Sequence, residues 1–246
     1  MTARDQSVWP NFYKAFAEKL LPFKTNRGDL INLIKQVYTE IDTKLPTLEK
    51  GNNIVDIDPF TVVGLFNKGI TESNREKIMR AFASHLEIPV EVPVDYLVPV
   101  LNNQNATFYP FIDQRGKNDI DLYWNLFEAA LNYADNQSVN NKASFISAYD
   151  SVWAIKYSTW KVTMGLFWIG SDTYMTLDGR SRWYIDQHSL YTQPLMKMAK
   201  LPKGTEYLDI CNHLKESSTM PFYELSLKAF QESQEQNEKD RLAKKT

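Results

Sequence analysis

The chain has 246 residues, of which 43% are hydrophobic, 13% are aromatic and only 9 are glycine. This composition fits a packed globular protein, and the scarcity of glycine argues against a β-sandwich with many tight turns. The net charge of −2 lacks the strongly basic balance that is typical of nucleic-acid-binding proteins. We therefore expect a helix-rich fold, and the total charge gives no support for nucleic-acid binding.

Apolar residues at helical spacing predict several helices in the first part of the chain. The first helix follows Trp9-Pro10 and ends or bends at Pro22, because proline suits a first helical turn and disrupts a helix interior. A second helix begins near Asp29. Asp58-Pro59 is a capping acid followed by proline, which predicts a short helix, and another helix follows Thr71. Three prolines, at positions 89, 93 and 99, predict that residues 90–101 are extended or form a short helix, and residues 107–112 are predicted to be β-like or irregular.

The second part of the chain contains further helical patterns and one ambiguous segment. The apolar run at residues 162–169 fits a buried helix, and a buried strand has the same pattern over so short a length. Asp178 is placed to cap a helix over residues 179–187. The remaining helices are predicted at residues 118–133, 142–157, 205–215 and 221–232.

These elements predict a mainly α, multi-helix globular domain with at most a small β element. We place two helical lobes at residues 1–105 and 106–232, with a single large domain as the alternative. The apolar pattern disappears after Gln231, which predicts a solvated helix or a linker. We interpret residues 233–246 as a linker toward a downstream motor domain that this sequence does not contain.

No recognisable catalytic, metal or cofactor motif occurs in the sequence. It has no phosphate-binding G-x-x-x-x-G-K-[ST] loop, no dinucleotide-binding G-x-G-x-x-G turn and no G-x-S-x-G nucleophile turn. The three histidines, His85, His188 and His213, lack the spacing of metal ligands. Cys211 is best interpreted as a small buried apolar residue rather than a reactive thiol. We expect a chain without catalytic residues, metal or cofactor.

The sequence also gives an expected location. The first residues hold no apolar run of the kind found in a signal peptide, and no segment approaches the ~20 apolar residues of a membrane span. We therefore expect a cytoplasmic protein without membrane contact.

Positive charge is concentrated in one stretch, residues 142–203. Eight lysines and arginines lie there with four aspartates, a net of +4, whereas the total for the chain is −2. Tryptophans and tyrosines are interleaved with these cations, among them Tyr157 and Trp168. Cations among aromatic residues suit phosphate contacts and base stacking. The alternative interpretation is an ordinary solvated face above an aromatic core.

Five residues of this stretch are candidate contacts to phosphate or base. They are Arg180, Arg182, Lys161, Trp160 and Lys197. A structural role, as a surface ion pair or a core tryptophan, is the alternative for each of them. Trp183 is assigned to the core.

Several segments together resemble the N-terminal region of McrB-type restriction ATPases, which act on DNA containing 5-methylcytosine. The start, Trp9-Pro10-Asn11-Phe12, is one of them. Leu177-Asp178-Gly179-Arg180-Ser181-Arg182-Trp183 is similar to an L-D-S-R-N-R-W pattern in that family, although Gly179 and Ser181 depart from it. The other matching segments are residues 24–27, 56–70, 98–104, 118–128 and 163–174.

The resemblance spans roughly residues 9–230 and implies a function. Such a region precedes a linker and a GTP-hydrolysing motor, and the motor works with a separate nuclease subunit. The implied role of this chain is a targeting module for foreign or modified DNA. A module that orders the motor ring or recruits the nuclease subunit is the alternative, favoured by the near-neutral charge. A third hypothesis, an enzyme, requires a pocket with perturbed carboxylates.

Overall fold

The computed structural model describes residues 8–94, 98–101, 107–156 and 158–244. Within these ranges the fold is mainly helical, as predicted, and its β structure is a single parallel bridge between Lys68 and Leu101. Short 3-10 helices occur at Leu21–Lys24, Lys50–Asn52 and Leu195–Lys197. The α-helices, in chain order, are α1 (Val8–Leu20), α2 (Arg27–Glu40), α3 (Pro59–Gly64), α4 (Glu72–His85), α5 (Asp119–Asp135), α6 (Val139–Trp153), α7 (Lys161–Ile169), α8 (Gly179–Gln187), α9 (Gly204–Ser217) and α10 (Phe222–Ala243).

Side-chain caps fix where several helices begin. Asp58 accepts a hydrogen bond from the backbone N–H of Thr61 at 2.9 Å and caps α3, as the sequence predicted. Ser138 caps α6, so that this helix starts at residue 139 rather than at the predicted residue 142. It also ends four residues before the predicted residue 157.

The apolar segment at residues 162–169 is a helix, so the strand alternative is wrong. All of its residues are buried, and α7 packs against α1 and α3. Gly165 allows the approach of α3, because a Cβ atom at this position would lie 2.6 Å from Cδ1 of Phe60. The absence of a side chain at one position therefore sets the spacing of two central helices.

One hydrophobic core includes residues from both predicted lobes. It extends along the chain from Trp9 to Ala229. Helices α1 and α3, from the first part of the chain, pack against α7, and α3 also packs against α5. The boundary at residue 105 stays a prediction. Cys211 lies in this core, where burial raises the pKa of its thiol to about 11, so its interpretation as a buried apolar residue is confirmed.

The last helix, α10, packs against α8 and continues well past residue 232. Side chains from residue 234 to residue 244 are exposed, so the segment is the solvated helix of the two predicted alternatives. Its role as a linker stays a prediction. In the part of the chain that the structure describes, no helix is both long and apolar enough to cross a membrane.

Candidate nucleic-acid interface

Helix α8 carries two of the predicted contact residues in its first turn. Asp178 caps this helix, since its Oδ1 accepts hydrogen bonds from the N–H groups of Arg180 at 2.8 Å and Ser181 at 3.0 Å. The buried positions Ser181, Tyr184 and Ile185 orient the helix on the core. This leaves the side chain of Arg180 exposed and that of Arg182 half-buried.

Arg182 and Trp160 are in direct contact. The guanidinium carbon lies 3.9 Å from the centroid of the Trp160 ring, a short cation–π distance. The Nε atom of Arg182 is buried and has no hydrogen-bond partner in the described structure. Burial lowers the pKa of Arg182, while Asp178 and Asp186 act in the opposite direction. The guanidinium stays charged at neutral pH, because arginine side chains are not deprotonated in proteins.

Arg180 has a similar aromatic partner on α10. Its guanidinium carbon is 4.8 Å from the ring centroid of Phe230, which is 43% exposed. A guanidinium held on an exposed ring keeps its N–H groups directed outward, and these fit the oxygens of a phosphate or a carboxylate.

Lys161 is next to Trp160 in sequence, but its amine is directed toward the interior. Nζ donates a hydrogen bond to the carbonyl oxygen of Thr107 at 2.7 Å and lies 5.5 Å from the centroid of the Phe108 ring. Burial lowers the pKa of Lys161, and the neighbouring Asp58 carboxylate raises it. This geometry gives Lys161 a structural contact that fixes the segment around Phe108 to α7.

The Asp58 carboxylate belongs to the same buried network. It is fully buried and accepts hydrogen bonds from the N–H and the hydroxyl of Thr61, and the Thr61 hydroxyl in turn accepts from the N–H of Phe108 at 2.9 Å. Burial raises the pKa of Asp58 from 3.8 to about 6, although the bonds to Thr61 and the charge of Lys161 act against this rise. The network therefore joins α3, α7 and the Phe108 segment.

Lys197, the fifth candidate, is exposed in the 3-10 helix that packs against α8. Asp186 of α8 holds this short helix in place. Its carboxylate accepts hydrogen bonds from the N–H of Leu195 at 2.7 Å and from that of Met196 at 2.9 Å. The structure thus brings Trp160 into contact with Arg182 and places Arg180 with Arg182 on α8. The 3-10 helix that contains Lys197 packs against α8.

Most cations of the basic stretch lack a carboxylate partner in the part of the chain that the structure describes. Within the described residues, six of them make no ion pair with a carboxylate: Lys142, Arg180, Arg182, Lys197, Lys200 and Lys203. The arginines Arg27, Arg80 and Arg115 are paired with carboxylates, whereas lysines elsewhere, such as Lys19 and Lys35, also make no ion pair in the described structure. The positive charge of the stretch is therefore not neutralised by contacts within the described structure.

The aromatic residues of the stretch divide between core and surface. Trp168 and Tyr174 are fully buried, which matches the alternative interpretation of an aromatic core. Trp160 and Trp183 are half-buried and pack at the edge of the core. Tyr157 and residues 102–104 of the resemblance lie outside the described residues.

A pocket beside α8 was missed by the sequence analysis. It has a volume of about 100 Å³ and lies between residues 98–100, the start of α8 and the middle of α10. Its lining residues are Val98, Pro99, Val100, Asp178, Arg180, Ser181, Ser226, Leu227 and Phe230. These come from three separate parts of the chain, so no local pattern marks them. Among the described residues, no group of three or more His, Cys, Asp or Glu side chains is placed to hold a metal ion.

Comparison with known proteins identifies a family. No curated protein and no solved structure matches the chain. A family model described as "Domain of unknown function (DUF8425)" matches residues 9–232, which include every helix from α2 to α9. This match gives no link to McrB-type ATPases, so that resemblance stays a prediction. The chain belongs to the DUF8425 family.

Proposed function

We propose that this chain is a DNA-targeting module of a McrB-type restriction system and that the surface around α8 contacts the DNA. The observation that carries the proposal is the setting of Arg180 and Arg182. Both guanidinium groups rest on aromatic rings and have no carboxylate partner in the described structure. A cation held in this way loses little side-chain entropy when it binds a phosphate.

The distribution of charge supports the same surface. Residues 142–203 carry a net charge of +4, and the rest of the chain carries −6, which together give the total of −2. Arg180 and Arg182 of this stretch lie on α8, and Lys197 lies in the 3-10 helix that packs against it, so these cations attract a polyanion to the same surface. Phosphate contacts account for affinity in such an interface, and a half-exposed ring such as Trp160 adds stacking.

The wider context is part of the proposal and follows from the resemblance. The module acts in the cytoplasm, joined to a GTP-hydrolysing motor that works with a nuclease subunit. This chain supplies recognition of foreign or modified DNA, and the other components supply the catalysis.

Fluorescence anisotropy with short duplexes tests this function. The probes are a labelled duplex without modification and the same duplex with methylated cytosine, each titrated with the intact chain at low salt. We expect binding to weaken about a hundredfold or more in a variant with both Arg180→Ala and Arg182→Ala, since two contacts to charged groups contribute roughly 1.5–3 kcal/mol each.

A matched control is Arg80→Ala, which removes the same charge from an exposed i,i+4 ion pair on α4. It should bind DNA like the unaltered chain. Failure of every duplex to bind at low salt would remove the DNA-targeting proposal. Tighter binding of the methylated duplex would show that the chain recognises the methyl group on cytosine.

A second candidate is a module that docks onto a protein, either the motor ring or the nuclease subunit. Two observations favour it: the total charge of −2, and the exposed apolar side chains of Val100 and Phe230 at the pocket beside α8. Salt separates the two functions, because phosphate contacts weaken steeply with salt and an apolar interface does not.

A further inference from the structure

The pocket beside α8 combines apolar walls with polar groups that have no partner. Its apolar lining comes from Val98, Pro99 and Val100 on one side and from Leu227 and Phe230 of α10 on the other. Val100 and Phe230 are 39% and 43% exposed, so apolar surface also faces solvent at this site. A hydrocarbon group bound here would cover this surface and remove it from water, which favours binding.

Two serine hydroxyls in the lining lack hydrogen bonds. The residues Ser181 and Ser226 are only 1% and 6% exposed, and in the described structure neither hydroxyl donates to or accepts from another group. Both oxygens remain accessible in the pocket, because neither belongs to the fully enclosed polar atoms of the described structure. A serine hydroxyl can both donate and accept a hydrogen bond, so the two hydroxyls fit a ligand with hydrogen-bonding oxygens.

The charges at the pocket favour a ligand with one negative charge. Arg180 has no carboxylate partner, whereas the Asp178 carboxylate is occupied in capping α8 through the N–H groups of residues 180 and 181. The Asp178 charge at the same pocket repels a second negative charge on the ligand, so the site does not favour a phosphate dianion. A single carboxylate is matched by the guanidinium, which forms parallel hydrogen bonds with its two oxygens.

The size of the pocket limits the hydrocarbon part of the ligand. Its volume is about 100 Å³ and it is open to solvent on one side. An enclosed cavity of roughly 150 Å³ takes up benzene, so the smaller volume here covers part of a six-membered ring or of a branched chain of about 4–6 carbons, and the rest of the group faces solvent.

We propose that this pocket binds a small carboxylate with an apolar body, with the carboxylate at Arg180 and the two serines and the hydrocarbon part against Val100 and Leu227. Two sources offer this chemistry: a free aliphatic or aromatic acid, and the C-terminus of a partner polypeptide that ends in an apolar residue. The site does not depend on DNA binding, although a bound carboxylate and a phosphate would compete for Arg180.

Methyl chemical shifts of the intact chain, recorded without DNA, test this proposal. Benzoate, benzyl alcohol and inorganic phosphate are titrated separately. We expect benzoate to shift the methyl signals of Val98, Val100 and Leu227, and benzyl alcohol to bind about tenfold more weakly, since it lacks the charge-assisted hydrogen bonds. Phosphate should not shift these signals.

Variants separate the charge from the shape of the pocket. Arg180→Gln, at an exposed position, should weaken benzoate binding about tenfold and leave the binding of benzyl alcohol unchanged. Ser226→Ala should weaken the binding of benzoate by a smaller factor than Arg180→Gln does. Lys228→Gln is the control, because Lys228 is exposed on α10 and does not line the pocket.

A tetrapeptide ending in leucine, compared with its C-terminal amide and with isovalerate, distinguishes the two sources. If the peptide acid binds at least tenfold more tightly than isovalerate and the amide does not bind, the natural ligand is the C-terminus of a partner polypeptide. Equal binding of the peptide acid and isovalerate indicates a free acid. The proposal is overturned if benzoate does not shift the pocket methyls, if Arg180→Gln has no effect on it, or if a nucleoside such as thymidine binds there and benzoate does not.

Discussion

Arginines in the first half of the chain and the two arginines of α8 have opposite surroundings. Arg115 is buried against Glu49, with Nη1 2.6 Å from Oε2 and side-chain exposures of 8% and 1%. Arg27 lies between two carboxylates, Asp56 and Asp121, and also contacts the backbone of Lys24. On α8, the guanidinium groups rest on Phe230 and Trp160 and have no carboxylate partner within the described residues.

This difference separates charges that hold the fold from charges that are available to a ligand. A buried ion pair is neutralised locally, and the loss of one partner leaves the other as an uncompensated buried charge. A guanidinium on a half-exposed ring can exchange solvent for phosphate or carboxylate without disturbing the core. The comparison predicts that changes in the first group alter stability and that changes in the second group alter binding.

The largest expected effect is that of Arg115→Ala. The carboxylate of Glu49 also accepts hydrogen bonds from the N–H groups of Lys50 at 2.9 Å and Ile112 at 3.0 Å, so it stays buried when the arginine is removed. We expect the free energy of unfolding to fall by about 3–5 kcal/mol, measured by urea denaturation. Removal of both charges, by Glu49→Gln with Arg115→Met, should cost less than Arg115→Ala alone. A loss below about 1 kcal/mol in the single variant would contradict the structural role assigned to this pair.

The next effect concerns the buried network of Asp58. Because the folded-state pKa of Asp58 is about 6 and its ordinary value is 3.8, the folded protein keeps a proton that the unfolded chain releases within this window. Stability should therefore decrease as the pH rises from 4 to 6, by about 2 of the ~3 kcal/mol that correspond to the full shift.

Asp58→Asn isolates this contribution, since asparagine still offers a capping oxygen to Thr61. Relative to the unaltered chain, the variant should become more stable as the pH rises, and urea denaturation at pH 4, 5, 6 and 7 measures this. A difference between the two proteins that is constant from pH 4 to pH 7 would rule out Asp58 as the titrating group.

Arg182→Ala should have a smaller effect on stability. It removes the contact with Trp160, and a cation–π contact contributes about 0.5–2 kcal/mol, depending on its burial. Denaturation followed by tryptophan fluorescence measures this loss. Arg182→Lys keeps the charge and removes the stacked plane, so DNA binding by this variant shows whether charge or stacking is required. A loss of more than about 4 kcal/mol in Arg182→Ala would place this residue with the arginines that hold the fold.

The smallest effect on stability is expected for Arg180→Ala. Both Arg180 and Phe230 are exposed, so the free energy of unfolding should change by no more than about 0.5 kcal/mol. Its affinity for DNA should nevertheless fall by a factor similar to that of Arg182→Ala. Unchanged affinity together with unchanged stability would assign no role in DNA binding to Arg180.

Much of the fold follows from local patterns in the sequence. The limits of α8 match the prediction because Asp178 is a strong cap and the apolar spacing after it is clear. For residues 162–169 the sequence predicted either a buried helix or a buried strand, because a short apolar run without polar alternation fits both. The early start of α6 at Ser138 was missed, since the capping serine lies in a polar segment where several residues are possible caps.

The candidate site was only partly predictable. The cations of the basic stretch were visible in the sequence, but their partners were not, because Trp160, just before α7, meets Arg182 of α8 only in the folded structure. The interior contact of Lys161 with Thr107 joins residues 54 positions apart. The pocket beside α8 joins residues near position 98 to residues near position 226, and serine at helical positions carries no signal of a binding site.

The salt dependence of DNA affinity tests the central claim most directly. The dissociation constant for one duplex is measured over a range of salt concentrations for the unaltered chain, for the variant with Arg180→Ala and Arg182→Ala, and for Arg80→Ala. If both α8 arginines contact phosphates, the slope of log Kd against log salt should decrease by about 2 in the double variant, and Arg80→Ala should leave it unchanged. An equal slope in all three proteins would show that the arginines on aromatic rings do not contact the DNA backbone, and would contradict the account.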